Sequence, residues 1–157
     1  MFEHILLAVD GQEHATYTLP KTVEIAKKFN SDVVVIHVRE RDLGRAGAFA
    51  MESNEDAAAV VTGTVKALET AGVPARGDLE FAVAGHAARR IVEAAEQHGS
   101  DLIVMGSRGL SDFGGLFLGS VTHTVERLAH VPVLVIRAPQ ESRPAEAAIP
   151  AAAQTLT

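Results

Sequence analysis

Short, unbroken apolar runs alternate along this chain with segments of helical period. Ile5 to Val9, Val33 to Val38, Leu102 to Met105 and Val133 to Ile136 are such runs. They are too short for ordinary helices and rich in β-branched residues, so they read as strands, the first three of these runs buried on both faces. Leu79, Phe81 and Val83 alternate with Asp78, Glu80 and Ala82. That period of two marks a third strand with one wet face. Between the strands, Ala15, Leu19, Val23, Ala26 and Phe29 recur at helical spacing, as do Ala57, Val60, Val61, Thr64, Val65 and Leu68. Residues 86–98 and 120–130 read as two further helices. The order βαβαβαβαβ places the chain in the α/β class, with a parallel sheet covered by helices on both faces. The fully apolar strands one, two and four belong at its centre and the alternating third at an edge. Right-handed crossovers then give an open five-stranded, Rossmann-like sheet of order 3-2-1-4-5.

Local punctuation sets the boundaries. Asp10-Gly11 is a turn, and so is Asn30-Ser31-Asp32. Pro20 falls inside the first helical pattern, where it either starts the regular helix or kinks it. Residues 39–52 form a polar, glycine-bearing connection. Ser53 followed three residues later by Asp56 has the form of a helix cap, and Gly72 and Gly99 read as helix stops. From Pro139 onward the chain is rich in Ala, Pro and Gln without useful periodicity. We therefore divide it into a folded domain, residues 1–138, and a tail, 139–157, that reads as disordered.

Composition removes several function classes. The 157 residues suffice for one domain with a real core, and with apolar residues at 47% but aromatics at 4% that core is aliphatic. A net charge of −6 without a Lys/Arg cluster argues against a nucleic-acid or anionic-membrane surface. The absence of cysteine removes disulfides, thiolate catalysis and zinc–thiolate sites. No apolar stretch approaches the length of a membrane span, and no basic stretch followed by a long apolar run opens the sequence. These features read as a soluble, cytoplasmic protein.

In the inferred sheet the winding reverses between strands one and four, and ligands of such sheets bind in the crevice beyond the carboxyl ends of the flanking strands. Those ends are Asp10 and Gly106. At the second stands Gly106-Ser107-Arg108-Gly109, then nine residues, then Gly119-Ser120, a G-x2-G-x9-G-S frame. It runs from the end of a strand to the start of a helix, where unpaired N–H groups and the helix dipole favour an anion. Glycine adds close backbone approach. The frame is neither a P-loop, since no lysine is placed for it, nor the G-x-G-x-x-G of a dinucleotide-binding domain. Val61-Thr62-Gly63-Thr64 has the form of a flavodoxin-type phosphate loop but lies inside a helical pattern.

With Ile5-Leu6-Leu7-Ala8-Val9-Asp10-Gly11, Val35-Ile36-His37-Val38, Asp101 to Gly109, Gly119-Ser120-Val121 and Pro132-Val133-Leu134-Val135, residues 2–138 resemble the ATP-binding subclass of the universal stress proteins. The resemblance implies roles. Asp10 would accept hydrogen bonds from ribose hydroxyls. Val38 would meet adenine through its backbone, with Ala8 and Met105 lining the base pocket. Gly106, Gly109, Gly119, Ser120 and Val121 would surround ribose and phosphates, while Arg108 either reaches a phosphate or faces solvent. It further implies ATP as ligand, accompanied by Mg²⁺ on phosphate and water oxygens, and a homodimer through strand residues 133–137, an apolar edge that needs cover. One departure stands out: Gly11-Gln12-Glu13 lacks the hydroxyl residue that the family often carries after the first-strand aspartate.

Other candidates read as structural. His37 lies in a strand buried on both faces and reads as a hydrogen-bonded core residue, and His86 as a turn or helix-start residue. His123 and His130 are two helical turns apart, too far to share a metal without a third ligand. We assign no catalytic residue and no metal site. The functional expectation is a nucleotide-dependent regulatory, stress-response module. The alternative is a slow ATPase or an ATP-dependent enzyme of the related adenine-nucleotide-binding class, although phosphoryl transfer needs charge stabilisation and an oriented nucleophile. A receiver-like domain phosphorylated on Asp10 is set aside, because Arg137 is the only basic residue directly after the last strand.

Overall fold

The apolar runs become the middle of a parallel sheet. The structure, a computed structural model, describes residues 1–11, 15–42, 49–50, 53–107 and 120–137. Its strands are β1 (His4–Val9), β2 (Asp32–Asp42), β3 (Phe49–Ala50), β4 (Ala75–Val83), β5 (Leu102–Gly106) and β6 (Val133–Ile136). Its helices are α1 (Ala15–Phe29), α2 (Asn54–Thr70), α3 (Ala87–Gln97) and α4 (Ser120–Leu128). Five strands run parallel in the order β4-β2-β1-β5-β6, the 3-2-1-4-5 order expected from the crossovers.

Side chains alternate between two cores. Ile5, Leu7, Val33, Val35, Leu102 and Val104 face α1 and α2. Leu6, Val34, Ile36, Ile103 and Met105 face α3 and α4. Ile5, Leu6 and Leu7 are wholly buried, so β1 is covered on both faces at successive positions. At about 25 cal/mol per Å² of apolar surface removed from water, each contributes about 1.5–3 kcal/mol.

Local signals set the ends of the elements. Ser53 Oγ accepts the Asp56 N–H at 3.0 Å and donates to the Asp56 carboxylate at 2.6 Å, starting α2. Gly72 and Gly99 follow α2 and α3 with φ of +80° and +63°, the left-handed region that ends helices. Pro20 lies within α1 and does not begin it. Gly63 is an interior residue of α2, so no phosphate loop forms there.

The second strand departs from expectation. Sequence periodicity ends it at Val38, and the structure carries it to Asp42. Arg39, Glu40 and Arg41 do not read as strand residues, yet they pair with Phe81, Ala82 and Val83 of β4. Their polar ends have tertiary partners. Arg39 donates to Asn54 at the start of α2, and the Arg41 guanidinium lies 5.2 Å from the centroid of the Phe81 ring. Arg41 also pairs with Ala50, so the short antiparallel β3 occupies the side of β2 that β1 vacates after Val9. Part of the 39–52 connection is therefore sheet. The third strand likewise starts earlier than its alternation suggests, at Ala75, where Gly77 lets α2 approach closely. The 139–157 tail lies outside the described residues.

At the opposite end of the sheet from the strand-order crevice, Asp101 fastens β5 to β1. Its two carboxylate oxygens accept the N–H groups of Glu3 at 2.9 Å and His4 at 3.0 Å. Burial alone raises its pKa, but these backbone N–H groups outweigh that and hold it below the ordinary carboxylate value. A depressed folded pKa gives stability that is complete above the unfolded value and is lost as pH falls through the folded one. Asp101→Asn should therefore cost about 1–2 kcal/mol near neutral pH. The gap from the parent should close below pH ~4. Urea unfolding across a pH series measures this, and a gap that stays constant with pH would refute it.

Candidate functional site

The central strand ends in a small residue. Ala8 is paired with Ile36 on one side and Met105 on the other, and all three face α3 and α4. A methyl group between two long side chains leaves a trough in the floor of the sheet. The trough opens as a cleft of about 640 Å³, open solvent at its mouth included. Val38 extends the floor, Ala87 and Ile91 of α3 form one wall, and Val121 and Thr122 of α4 form the other.

Its rim is polar. Asp10 follows β1 and Gly106 ends β5, so the cleft lies where the strand order reverses. A second carboxylate, Glu40, lines the α3 side. Its Oε1 accepts the N–H of Gly85 at 2.9 Å and of Ala87 at 3.2 Å. His86, the residue at the α3 cap position, makes no side-chain cap, so Glu40 supplies it from 45 residues away. Carboxylate and helix start attract each other through the same partial positive charge that would hold an anion.

The segment that leaves β5 is held at its first residue. Ser107 donates its N–H to Ile136 O at 2.9 Å and accepts the Tyr17 hydroxyl on its carbonyl at 2.9 Å. Both halves of the backbone at Ser107 are thus fixed, one by β6 and one by α1.

Of the residues singled out in the sequence, Ala8, Asp10, Val38, Met105, Gly106 and Val121 come together on the cleft. Ser120 begins α4 beside Val121 and is exposed rather than part of the wall. Arg108, Gly109 and Gly119 lie outside the described residues. Sequence reasoning missed Glu40, Ile36 and the α3 wall. Ile36, Val38 and Glu40 share a face by the period of two, so a longer second strand would have placed them together. His37 is buried, with Nδ1 2.8 Å from Val9 O, and so is a hydrogen-bonded core residue. Among the described residues no group of three His, Asp or Glu side chains could hold a metal ion, and no helix is long and apolar enough to cross a membrane.

Comparison with known proteins gives a consistent answer. The model of the universal stress protein family matches residues 1–137. A universal stress protein of Thermus aquaticus is 36% identical over 141 residues, covering 87% of this chain and 100% of the relative. A solved universal stress protein from Archaeoglobus fulgidus superposes with a TM-score of 0.70 at 26% identity, over 87% of this chain and 99% of that one. Another from the same organism, in complex with dAMP, gives 0.65 at 24% identity, over 86% and 98%.

Tyr17→Phe should cost about 1 kcal/mol of stability, the usual worth of a partly buried hydrogen bond. It should also raise amide exchange at Ser107 above the parent rate, because that N–H would lose the restraint on its own residue. Hydrogen-exchange NMR reads both effects, and unchanged protection at Ser107 would show that Tyr17 does not hold it.

Proposed function

The chain belongs to the universal stress protein family, and we propose that it is an ATP-binding member acting in the cytoplasm as a nucleotide-dependent regulatory module. One observation carries the reading. An open trough centred on Ala8 runs from Asp10 to Gly106, at the reversal of strand order and beside the start of α4. A flat base fits over Ala8 and Met105, with the backbone of Val38 at its edge. Asp10, on the rim of the cleft, would accept hydrogen bonds from ribose hydroxyls. The phosphates extend towards Gly106 and the α4 start at Ser120 and Val121, with Arg108, Gly109 and Gly119 supplied by the intervening segment. Mg²⁺ would ride mainly on phosphate and water oxygens. The dAMP complex of the structural neighbour accords with an adenine ligand, although at 24% identity that likeness speaks to the fold alone. A regulatory role is favoured over a catalytic one because the G-x2-G-x9-G-S segment carries Arg108 as its single cation and no lysine.

The same reading pairs two copies through β6. Among the described residues this strand pairs with β5 alone, and its own residues are half-buried or exposed. Val133 and Val135 pack towards the α3–α4 core and Ile136 towards the α1–α2 core. Leu134 remains 37% exposed. An apolar strand at a sheet edge needs cover, and a two-fold axis supplies it without growing a filament.

By calorimetry the parent should bind ATP. Asp10→Ala should weaken binding about tenfold, and Gly109→Val should abolish it by placing a side chain where backbone approach is required. A parent that binds no ATP, or a Gly109→Val variant that binds as well as the parent, would overturn the assignment. For the dimer, Leu134→Lys is the informative change, since Val135 also serves the core. Sedimentation should show a dimeric parent at micromolar concentration and a largely monomeric variant, and a monomeric parent would count against the interface.

A further inference from the structure

Two helices begin at this cleft, and among the described residues only the start of α3 carries an internal anion. The N-terminus of α3, an 11-residue helix, is taken by Glu40 Oε1 through the Gly85 and Ala87 N–H groups. A phosphate there would displace or face a carboxylate, so the α3 end of the cleft suits the uncharged end of a ligand. The phosphates belong at the α4 end and the base against α3. The wall at that end consists of Val38, Ala87 and Ile91, which are apolar, together with Glu40. Both hydrogen bonds of Glu40 go to Oε1, and Oε2 has no partner among the described residues.

We infer that Glu40 is a specificity-determining residue, whose Oε2 accepts a hydrogen bond from the exocyclic amine of a 6-aminopurine and rejects a 6-oxopurine. This rests on the adenine-nucleotide reading of the cleft and goes beyond it by naming the group that chooses the base. A carboxylate has only acceptors to offer, so the edge of the base that faces it must donate. Adenine presents an N–H there. Hypoxanthine, otherwise the same ring system, presents an oxygen with lone pairs, which leaves two acceptors opposed in a partly buried wall. Sites that bond a polar group of the correct ligand discriminate strongly because the wrong one leaves that group unpaired. The cap on α3 does not itself require a charge. A glutamine in place of Glu40 keeps an oxygen for Gly85 and Ala87 and turns an N–H₂ towards the base.

The test is the ratio of ATP to ITP affinity, measured by calorimetry on the full chain and on Glu40→Gln. The parent should favour ATP roughly ten- to hundredfold. In Glu40→Gln the ratio should fall to about one or invert, while the melting temperature of the unliganded variant stays close to that of the parent. A merely structural role would alter stability or both affinities together and leave the ratio unmoved. A variant that binds ATP with the parent's ratio overturns the inference. If Glu40→Gln fails to fold, the parent alone decides through purine riboside triphosphate, which has hydrogen at position 6. Weaker binding than ATP supports the role of Glu40, and equal binding overturns it. A parent that binds neither ATP nor ITP removes the nucleotide reading, and this inference falls with it.

Discussion

Burial of β1 on both faces is the constraint from which the rest of the structure follows. Ile5, Leu6 and Leu7 are wholly buried at consecutive positions, so two separate layers of helix are needed to cover them. Helices α1 and α2 pack on one face and α3 and α4 on the other. A right-handed chain reaches both faces only by reversing the direction in which it adds strands. The reversal separates the starts of successive helices at the carboxyl end of β1, and the sheet floor there stays open. The cleft is thus a by-product of covering the centre. What makes it usable is the change from leucine at position 6 to alanine at position 8, the next residue on the same face, beside Ile36 and Met105.

Features legible in the sequence were those set by short-range physics. Strand order followed from which runs are apolar throughout and which alternate, as β4 and β1 demonstrate. The start of α2 followed from Ser53 and Asp56, and its end from Gly72. Six candidate residues fell on one cleft because strand ends and helix starts are marked locally by Asp10, Gly106 and Val121. The residues that escaped notice depend on distant partners. Arg39, Glu40 and Arg41 look like the beginning of a loop until Asn54, the α3 start and Phe81 are set beside them.

That stretch has a physical logic of its own. A strand that outruns its central neighbour exposes polar backbone on one side, and β3 covers part of it at Arg41 and Asp42. Its side chains alternate as any strand's do. The odd positions, Arg39 and Arg41, turn towards the α2 side, and the even positions, Val38 and Glu40, turn towards the cleft. The extension therefore joins the covering layer on one face to the cleft wall on the other. Neither property has a helical or apolar signature, so pattern reading passes over both.

Ser107 shares one peptide neighbourhood with β6 and α1. The glycine-bearing segment and the edge strand are therefore adjacent terms in a single hydrogen-bonded chain, with no flexible spacer between Ile136 and Ser107. Thermodynamic linkage makes any communication across that contact mutual. A ligand whose contact with Ser107 alters pairing at β6 must gain or lose affinity by the same factor when β6 is paired. Nucleotide affinity would then depend on protein concentration, and the degree of assembly on nucleotide supply, through one backbone hydrogen bond.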